Sequence, residues 1–233
     1  MPCTTPPPWA LDRGLKLLRF ERRTMDLSLY IVTDRSLSLG RTDEEVVRRA
    51  VSVGATVIQY RDKGADGGAM VRTGRELVRI CRSGGIPLIV NDRLDVALAC
   101  GAAGVHLGQD DMDPEDARKI AGPGFIIGVS ITTRDEALRA RDAGADYLAA
   151  NGVFPTATKT DLGSPLGIEG VRALAEATDL PLVAIGGIDS FNAASIIRAG
   201  AAGVAVVSDV IHHDDIEGRC GILLSAVSKG RAS

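Results

Sequence analysis

One pattern recurs along most of the chain: a glycine placed to end a helix, followed at once by a short apolar run. It occurs in the segments SVGATVIQY, ACGAAGVHLG, DAGADYLAA and RAGAAGVAVVS. Their glycines stand where a helix commonly ends in a left-handed residue: Gly54, Gly101, Gly144 and Gly200. A unit that repeats every roughly 20 to 50 residues is typical of an architecture built from repeated strand and helix units.

Apolar runs predict eight strands, and amphipathic stretches between the runs predict helices. The strands are expected near residues 28–34, 55–61, 87–92, 103–108, 126–131, 145–150, 181–187 and 203–208. Thr42, Thr133 and Ser190 are expected to cap helices. Eight strand–helix units in about 200 residues predict a single (β/α)₈ TIM barrel. A doubly wound open sheet is the alternative, and the absence of GxGxxG after the first strand counts against it.

The first 26 residues differ from the repeated units that follow. They open with the proline-rich TTPPPW and continue with the basic stretch LDRGLKLLRFERRTM. We interpret residues 1–26 as an N-terminal extension, either disordered or upstream of a true start near Met25. A transit peptide is the alternative, against which Asp12 and Glu21 count. Residues 27–233 are expected to form the catalytic barrel domain.

Composition excludes several classes of function. A net charge of -3 and a pI near 5.7 give no basic field for nucleic acid. The four cysteines show no metal-binding spacing, which predicts three buried thiols, a fourth thiol in the N-terminal tail at Cys3, and a reducing, cytoplasmic location. No apolar run reaches about 18 residues, so no membrane span is expected. The number of subunits is left open.

Polar side chains follow the predicted strands at the end where TIM barrels carry their chemistry. The second strand runs into VIQYRDK, in which Gln59, Arg61 and Lys63 alternate and therefore share one side. The other strand ends contribute Asn91, Asp92, Asp110, Asp111, Ser130 and, after strand six, Thr156, Thr158 and Lys159. We expect these groups to converge at one mouth of the barrel, with the loop after strand six acting as a lid or binding loop. An ordinary solvated connection is the alternative for that loop.

The mixture of cations and carboxylates at this mouth predicts a metal-bound diphosphate. Two carboxylates about 4 Å apart repel by roughly 4 kcal/mol at an effective dielectric of 20. Mg²⁺ relieves such repulsion, and it prefers one or two carboxylates together with ligand phosphates. Asp92 with Asp111 or Asp110 is the candidate pair, and Arg61 and Lys63 would face the phosphates. A ring of salt bridges without a ligand is the alternative.

A second anion site is expected at the ends of strands seven and eight. Gly186 and Gly187 precede one helix there, and Val207 and Ser208 precede another. Backbone N–H groups at glycines and helix starts bind phosphate in this position of the fold. His106 is expected to fill the barrel interior or to make a fixed hydrogen bond. Because no Ser/His/Asp set, Cys/His set or HExxH occurs, the pattern favours chemistry driven by the substrate's own leaving group.

Seven motifs in one order resemble a known enzyme family. They are QYRDK, ND, HLGQDD, GVSITT, FPTATK, IGGI and VVS. This set resembles the thiamine-phosphate synthase family over roughly residues 27 to 230. The resemblance implies a transferase of alkyl groups other than methyl. It would join a hydroxymethylpyrimidine diphosphate to a thiazole phosphate or its carboxylate through a dissociative pyrimidine carbocation. Pyrophosphate would be released, together with CO₂ when the carboxylate is used.

The resemblance also implies residue roles. One Mg²⁺ per subunit would be held by Asp92 and Asp111. The pyrimidine diphosphate would be held by Gln59, Tyr60, Arg61, Asp62, Lys63, Asn91, Ser130 and Lys159. The thiazole phosphate would be held by Thr156, Ala157, Thr158, Gly187, Val207 and Ser208. A thiazole tautomerase-like paralogue and a non-catalytic phosphate-binding barrel are the rival functions, and neither needs Arg61, Lys63, Asp92 and Asp111 together.

Overall fold

The computed structural model describes residues 25–156 and 164–232, and within them eight parallel strands close into a barrel. Each strand pairs with the next along the chain, and the first also pairs with the last. The strands are β1 Leu29–Val32, β2 Val57–Tyr60, β3 Leu88–Asn91, β4 Gly104–Leu107, β5 Ile126–Ile131, β6 Tyr147–Asn151, β7 Leu182–Ile185 and β8 Gly203–Val206. The predicted (β/α)₈ TIM barrel is confirmed.

Helices cover the outside of the barrel, and the part of the chain described here has two of them after β8 instead of the one expected. They are α1 Asp43–Ser52, α2 Gly67–Ser83, α3 Leu94–Cys100, α4 Pro114–Ala121, α5 Arg134–Asp142, α6 Gly167–Ala177, α7 Ala193–Arg198, α8 Ser208–Ile211 and α9 Ile216–Arg231. Among the residues described, no helix has the length and apolar character needed to cross a membrane.

Helix ends follow the chemistry of the sequence at most of the predicted positions. Thr42 accepts a hydrogen bond from the Glu45 N–H, and Thr133 forms a full capping box with Glu136. Ser190 was expected to cap a helix, and that prediction is wrong. The helix α7 begins at Ala193, and Asp189 instead accepts the N–H groups of the turn before it. The four predicted left-handed glycines all have positive φ, between 77° and 104°.

Two apolar layers hold the fold together. The outer layer lies between strands and helices and includes Ile31, Ile58 and Leu77. The smaller inner layer fills the barrel and includes Tyr30, Val57 and Tyr147. Because both faces of each strand are covered, the strands read as nearly continuous apolar runs, which is why the sequence pattern located them.

The cysteines of the barrel match their expected role. Cys81, Cys100 and Cys220 are buried free thiols, and burial raises the pKa of Cys81 and of Cys220 to about 12. Such thiols remain protonated and act as small hydrophobic side chains.

One buried carboxylate at the start of α1 gives the fold a pH-dependent weakness. Asp43 is 2% exposed, and its Oδ2 lies 3.6 Å from Arg35 Nη1, too far for a hydrogen bond. Burial raises the Asp43 pKa to about 6, although Arg35 lowers it. Asp43 ionises at a lower pH in the unfolded chain than in the folded protein. The free energy of unfolding therefore falls as the pH rises from about 4 through about 6.

Asp43→Asn should therefore gain stability over the native protein as the pH is raised. We expect the difference in unfolding free energy to grow by about 1–3 kcal/mol between pH 4 and pH 7.5. Urea unfolding at both pH values measures it, with the exposed Glu45→Gln of the same turn as control. A difference that does not vary with pH would show that the Asp43 charge costs the fold nothing.

Candidate active site

A cavity of about 300 Å³ opens at the carboxyl ends of the strands. Its size fits a small-molecule site. Most of the predicted site residues line it: Gln59, Arg61, Lys63, Asn91, Asp92, Asp111, Ser130, Thr156, Gly187, Val207 and Ser208. The structure thus brings together side chains from strands that are distant in the sequence.

The residues of VIQYRDK divide between the two faces of their strand. Gln59, Arg61 and Lys63 line the cavity, as the alternation predicted, although β2 itself ends at Tyr60. The Tyr60 side chain packs in the outer layer. Asp62 accepts the N–H groups of Gly64 and Ala65 and so stabilises the following turn. The structure therefore does not bring the Tyr60 and Asp62 side chains to the cavity, because alternate residues of a strand point away from each other.

Three predicted site residues lie outside the described residues. They are Ala157, Thr158 and Lys159, in the segment after β6. Their predicted roles, and that of the segment as a lid, stay predictions.

Arg61 is held in place by a residue that the sequence analysis did not identify. Its Nη1 donates to Asp34 Oδ2, and its backbone N–H donates to Thr33 Oγ1 over 3.0 Å. Asp34 also accepts from the N–H of Ser36, which orders the turn after β1. The carboxylate fixes one edge of the guanidinium and leaves the rest of its planar fork for an anion in the cavity.

Asp92 and Asp111 form the carboxylate pair of the cavity. Asp92 has a φ of 61°, which non-glycine residues rarely adopt and which marks a position held by its surroundings. Burial raises the pKa of Asp92 to about 6, helped by its hydrogen bond to Asp111 and the Asp111 charge, while Lys63 and Arg61 lower it. Asp111 rather than Asp110 is therefore the partner that Asp92 contacts.

The donor set of this pair suits a hard divalent cation. In residues 25–156 and 164–232 no group of three or more His, Cys, Asp and Glu side chains forms a metal cluster. Two adjacent carboxylates are nevertheless what Mg²⁺ takes from a protein when phosphate oxygens and water complete its shell. Burial and the neighbouring Asp111 raise the pKa of Asp92, and a cation bound between the two carboxylates would lower it again.

The opposite side of the cavity is built from backbone. Gly186 and Gly187 have φ values of 106° and 63°. A Cβ on Gly187 would lie 2.7 Å from the Pro155 carbonyl oxygen and 2.8 Å from Phe154 Cβ. Ser208 begins α8 on the neighbouring strand end. Glycine is required where the chain turns this tightly, and the resulting bare backbone is suited to an anion.

Comparison with known proteins identifies the family to which this cavity belongs. Residues 29–210 match the sequence model described as thiamine monophosphate synthase. The chain belongs to the thiamine monophosphate synthase family. The matched residues include every strand and all the cavity-lining residues named above.

Individual relatives agree with this membership. The chain is 48% identical over 204 residues to thiamine-phosphate synthase of Chloroflexus aurantiacus, covering 88% of this chain and 94% of that one. It is 46% identical over 209 residues to the synthase of Methanocella arvoryzae, covering 90% and 99%. Among solved structures, thiamine phosphate pyrophosphorylase from Pyrococcus furiosus superposes with a TM-score of 0.81 at 41% identity, covering 88% of this chain and 98% of that one.

At the floor of the cavity of this family member, a chain of hydrogen bonds crosses the barrel interior, and all its residues except Tyr147 line the cavity. Gln59 Nε2 lies 2.8 Å from Tyr30 Oη, which lies 2.7 Å from Tyr147 Oη. Tyr147 Oη is 3.0 Å from His106 Nδ1, and His106 Nε2 is 2.9 Å from Ser130 Oγ. The expected role of His106 as a residue of the barrel interior is confirmed. The two tyrosines were missed because their partners lie far away in the sequence.

Proposed function

We propose that this protein is a thiamine-phosphate synthase, a transferase of alkyl groups other than methyl. It condenses 4-amino-2-methyl-5-(diphosphooxymethyl)pyrimidine with thiazole phosphate to form thiamine phosphate and pyrophosphate. With the thiazole phosphate carboxylate as substrate, CO₂ is released as well. The observation that carries the proposal is one cavity with a cation–carboxylate side and a glycine-backbone side, in a member of this family. Each side suits a different phosphorylated substrate.

The cation–carboxylate side would hold the pyrimidine diphosphate. Arg61 offers a planar fork and Lys63 a mobile ammonium to the phosphate oxygens. Gln59, Asn91 and Ser130 lie near the carboxyl ends of β2, β3 and β5 and would hold the pyrimidine. Lys159 would add a further cation. By placing positive charge where the diphosphate departs, these residues favour breaking the C–O bond before the new bond forms.

Asp92 and Asp111 would hold one Mg²⁺ beside the diphosphate. When bound, the ion neutralises charge that develops on the leaving oxygen. The two carboxylates would orient it through their fixed positions, Asp111 being held by the Gly108 N–H over 2.6 Å. No protein nucleophile is required, because the thiazole nitrogen attacks the pyrimidine carbocation.

The glycine side would hold the thiazole phosphate. Gly187, Val207 and Ser208 line this part of the cavity, and Thr156 enters it from the segment after β6. Ala157 and Thr158 would complete the binding loop. The thiazole nitrogen would then face the pyrimidine across the cavity, and holding both reactants in one place supplies much of the rate.

A coupled assay tests the proposed function directly. The purified protein is mixed with both substrates and Mg²⁺, and thiamine phosphate is measured by fluorescence after oxidation. We expect product that depends on both substrates and that disappears with EDTA. A thiazole tautomerase or a passive phosphate-binding barrel would form no product, and a protein that is fully active in EDTA would contradict the metal assignment.

Gly187→Ala tests the thiazole phosphate assignment. The added Cβ is strained at a φ of 63° and meets the Pro155 carbonyl at 2.7 Å, so the backbone turn must shift. We expect the KM for thiazole phosphate to rise about 10-fold or more, while the KM for the pyrimidine diphosphate changes less than about threefold. Gly85→Ala, at another positive φ but with open space around it, controls for backbone strain. Equal changes in both KM values would contradict the assignment.

We also propose that the enzyme acts in the cytoplasm on free small molecules and not on nucleic acid or membranes. The buried free thiols of Cys81, Cys100 and Cys220 suit a reducing compartment.

A further inference from the structure

We propose that Tyr147 and His106 are positioning residues that hold the Ser130 hydroxyl with its proton directed into the cavity. The inference rests on the proposed function, which names the pyrimidine diphosphate as the substrate to which Ser130 donates this proton. Tyr147 does not line the cavity, and His106, which lines it, acts in this proposal through Ser130 and not on the substrate. Both act through the hydrogen-bond chain that joins Gln59, Tyr30, Tyr147, His106 and Ser130 across five strands.

The direction of the chain is set at its Gln59 end. The Gln59 Nε2 atom can only donate, so Tyr30 Oη accepts. The Tyr30 O–H then donates to Tyr147 Oη, the other side-chain group with which it is hydrogen-bonded among the described residues. A phenol has a single proton, so each donation forces the next.

The proton of His106 is placed by its two hydrogen-bond partners in the same way. Tyr147, having accepted from Tyr30, donates its own proton to His106 Nδ1. His106 therefore carries its proton on Nε2 and donates to Ser130 Oγ. The Ser130 proton is then available to a group in the cavity that Ser130 lines. In the other tautomer, His106 Nε2 would accept the Ser130 O–H, so the Ser130 proton would point away from the cavity.

Burial keeps the chain intact. Tyr30, Tyr147, Gln59 and His106 are all less than 9% exposed, so water does not compete strongly for their bonds. Burial also raises the pKa of both tyrosines, so that both remain protonated at working pH. Gly128 leaves room for the Tyr147 ring, because a Cβ at this position would lie 2.0 Å from Tyr147 Cζ.

Two variants separate positioning from mere packing. Tyr147→Phe removes the donor to His106 Nδ1 and leaves the tautomer unconstrained. Tyr30→Phe removes an equally buried hydroxyl but leaves the Tyr147 O–H beside His106 Nδ1. Tyr147 is then no longer forced to donate, but a phenol O–H still donates to an imidazole nitrogen more readily than it accepts from an imidazole N–H. A purely structural role predicts that both variants lose similar fractions of kcat/KM for the pyrimidine diphosphate. Positioning of Ser130 predicts that mainly Tyr147→Phe loses it.

The tautomer is read directly by ¹⁵N NMR of the histidine side chains at pH 8, without turnover. The chain has three histidines, and the His106 signals are assigned by their absence in His106→Gln. We expect the Nε2–H tautomer in the native protein and in Tyr30→Phe, and its loss in Tyr147→Phe. A native His106 protonated on Nδ1 would overturn the proposal, even where a variant fails to fold.

Kinetics supply the second readout. For Tyr147→Phe we expect kcat/KM for the pyrimidine diphosphate to fall about 10-fold, the loss of one hydrogen bond to substrate. The KM for thiazole phosphate should stay within about twofold, and Tyr30→Phe should lose less than about threefold. Equal losses in the two variants with an unchanged tautomer would also overturn the proposal. A native protein that forms no thiamine phosphate would instead refute the proposed function, while the tautomer measurement would still decide the direction of the chain.

Discussion

Asp92→Asn is expected to reduce Mg²⁺-dependent turnover by about 100-fold to 1000-fold while stabilising the metal-free protein. The variant removes one of the two carboxylates proposed to hold the ion. It also removes a charge that the folded protein disfavours, since burial and Asp111 raise the Asp92 pKa to about 6. At pH 7.5 this gain should be about 1–2 kcal/mol. Asparagine is chosen because it tolerates the φ of 61° at this position better than alanine does.

Two measurements check this result. Turnover is followed as a function of Mg²⁺ concentration, and urea unfolding is followed in EDTA. Asp110→Asn is the matched control, because Asp110 also lines the cavity but does not contribute to the pKa shift of Asp92. Its loss of turnover should be less than about 10-fold. Turnover by Asp92→Asn that matches the native protein at every Mg²⁺ concentration would remove Asp92 from the proposed metal site.

Arg61→Lys is expected to lower kcat/KM for the pyrimidine diphosphate by about 100-fold although the charge is kept. Lysine offers a point charge in place of a planar fork, and it does not reproduce the Arg61 pairing with Asp34. The loss would therefore measure geometry rather than net charge. Thiazole phosphate binding should change little, because its proposed site lies on the glycine side of the cavity.

Steady-state kinetics with each substrate varied in turn measure this effect. Lys63→Arg is the control, since it also exchanges the two cations but leaves the Asp34 contact in place. We expect it to cost less than about 10-fold. If Arg61→Lys loses less than about threefold, the proposed role of the guanidinium fork is wrong.

The sequence predicted much of the barrel and of the cavity for local reasons. Short apolar runs covered on both faces marked the strands, and Gly54, Gly101, Gly144 and Gly200 marked the turns that precede them. Alternation along one strand placed Gln59, Arg61 and Lys63 on a common side, and the structure confirms that they line the cavity. Such patterns are readable because each depends on residues adjacent in the chain.

Resemblance carried some predictions further than the local pattern supported. Tyr60 and Asp62 belong to the same motif as Arg61, but alternation already implied that their side chains point the other way. In the structure Tyr60 packs in the outer layer and Asp62 stabilises a turn. A motif identifies which segment forms a site, whereas the alternation of side chains along the strand decides which of its residues point into the cavity.

By itself, the sequence determined that this protein is a barrel of strand–helix units with cations, carboxylates and glycines at the strand ends. Only the tertiary structure decided that Tyr30 meets Tyr147, 117 residues away, that Asp34 holds Arg61, and that Asp92 adopts a left-handed backbone beside Asp111. The physical reason is barrel closure. It sets which residues of different strands lie at the same height, and no pattern within a single segment encodes that height.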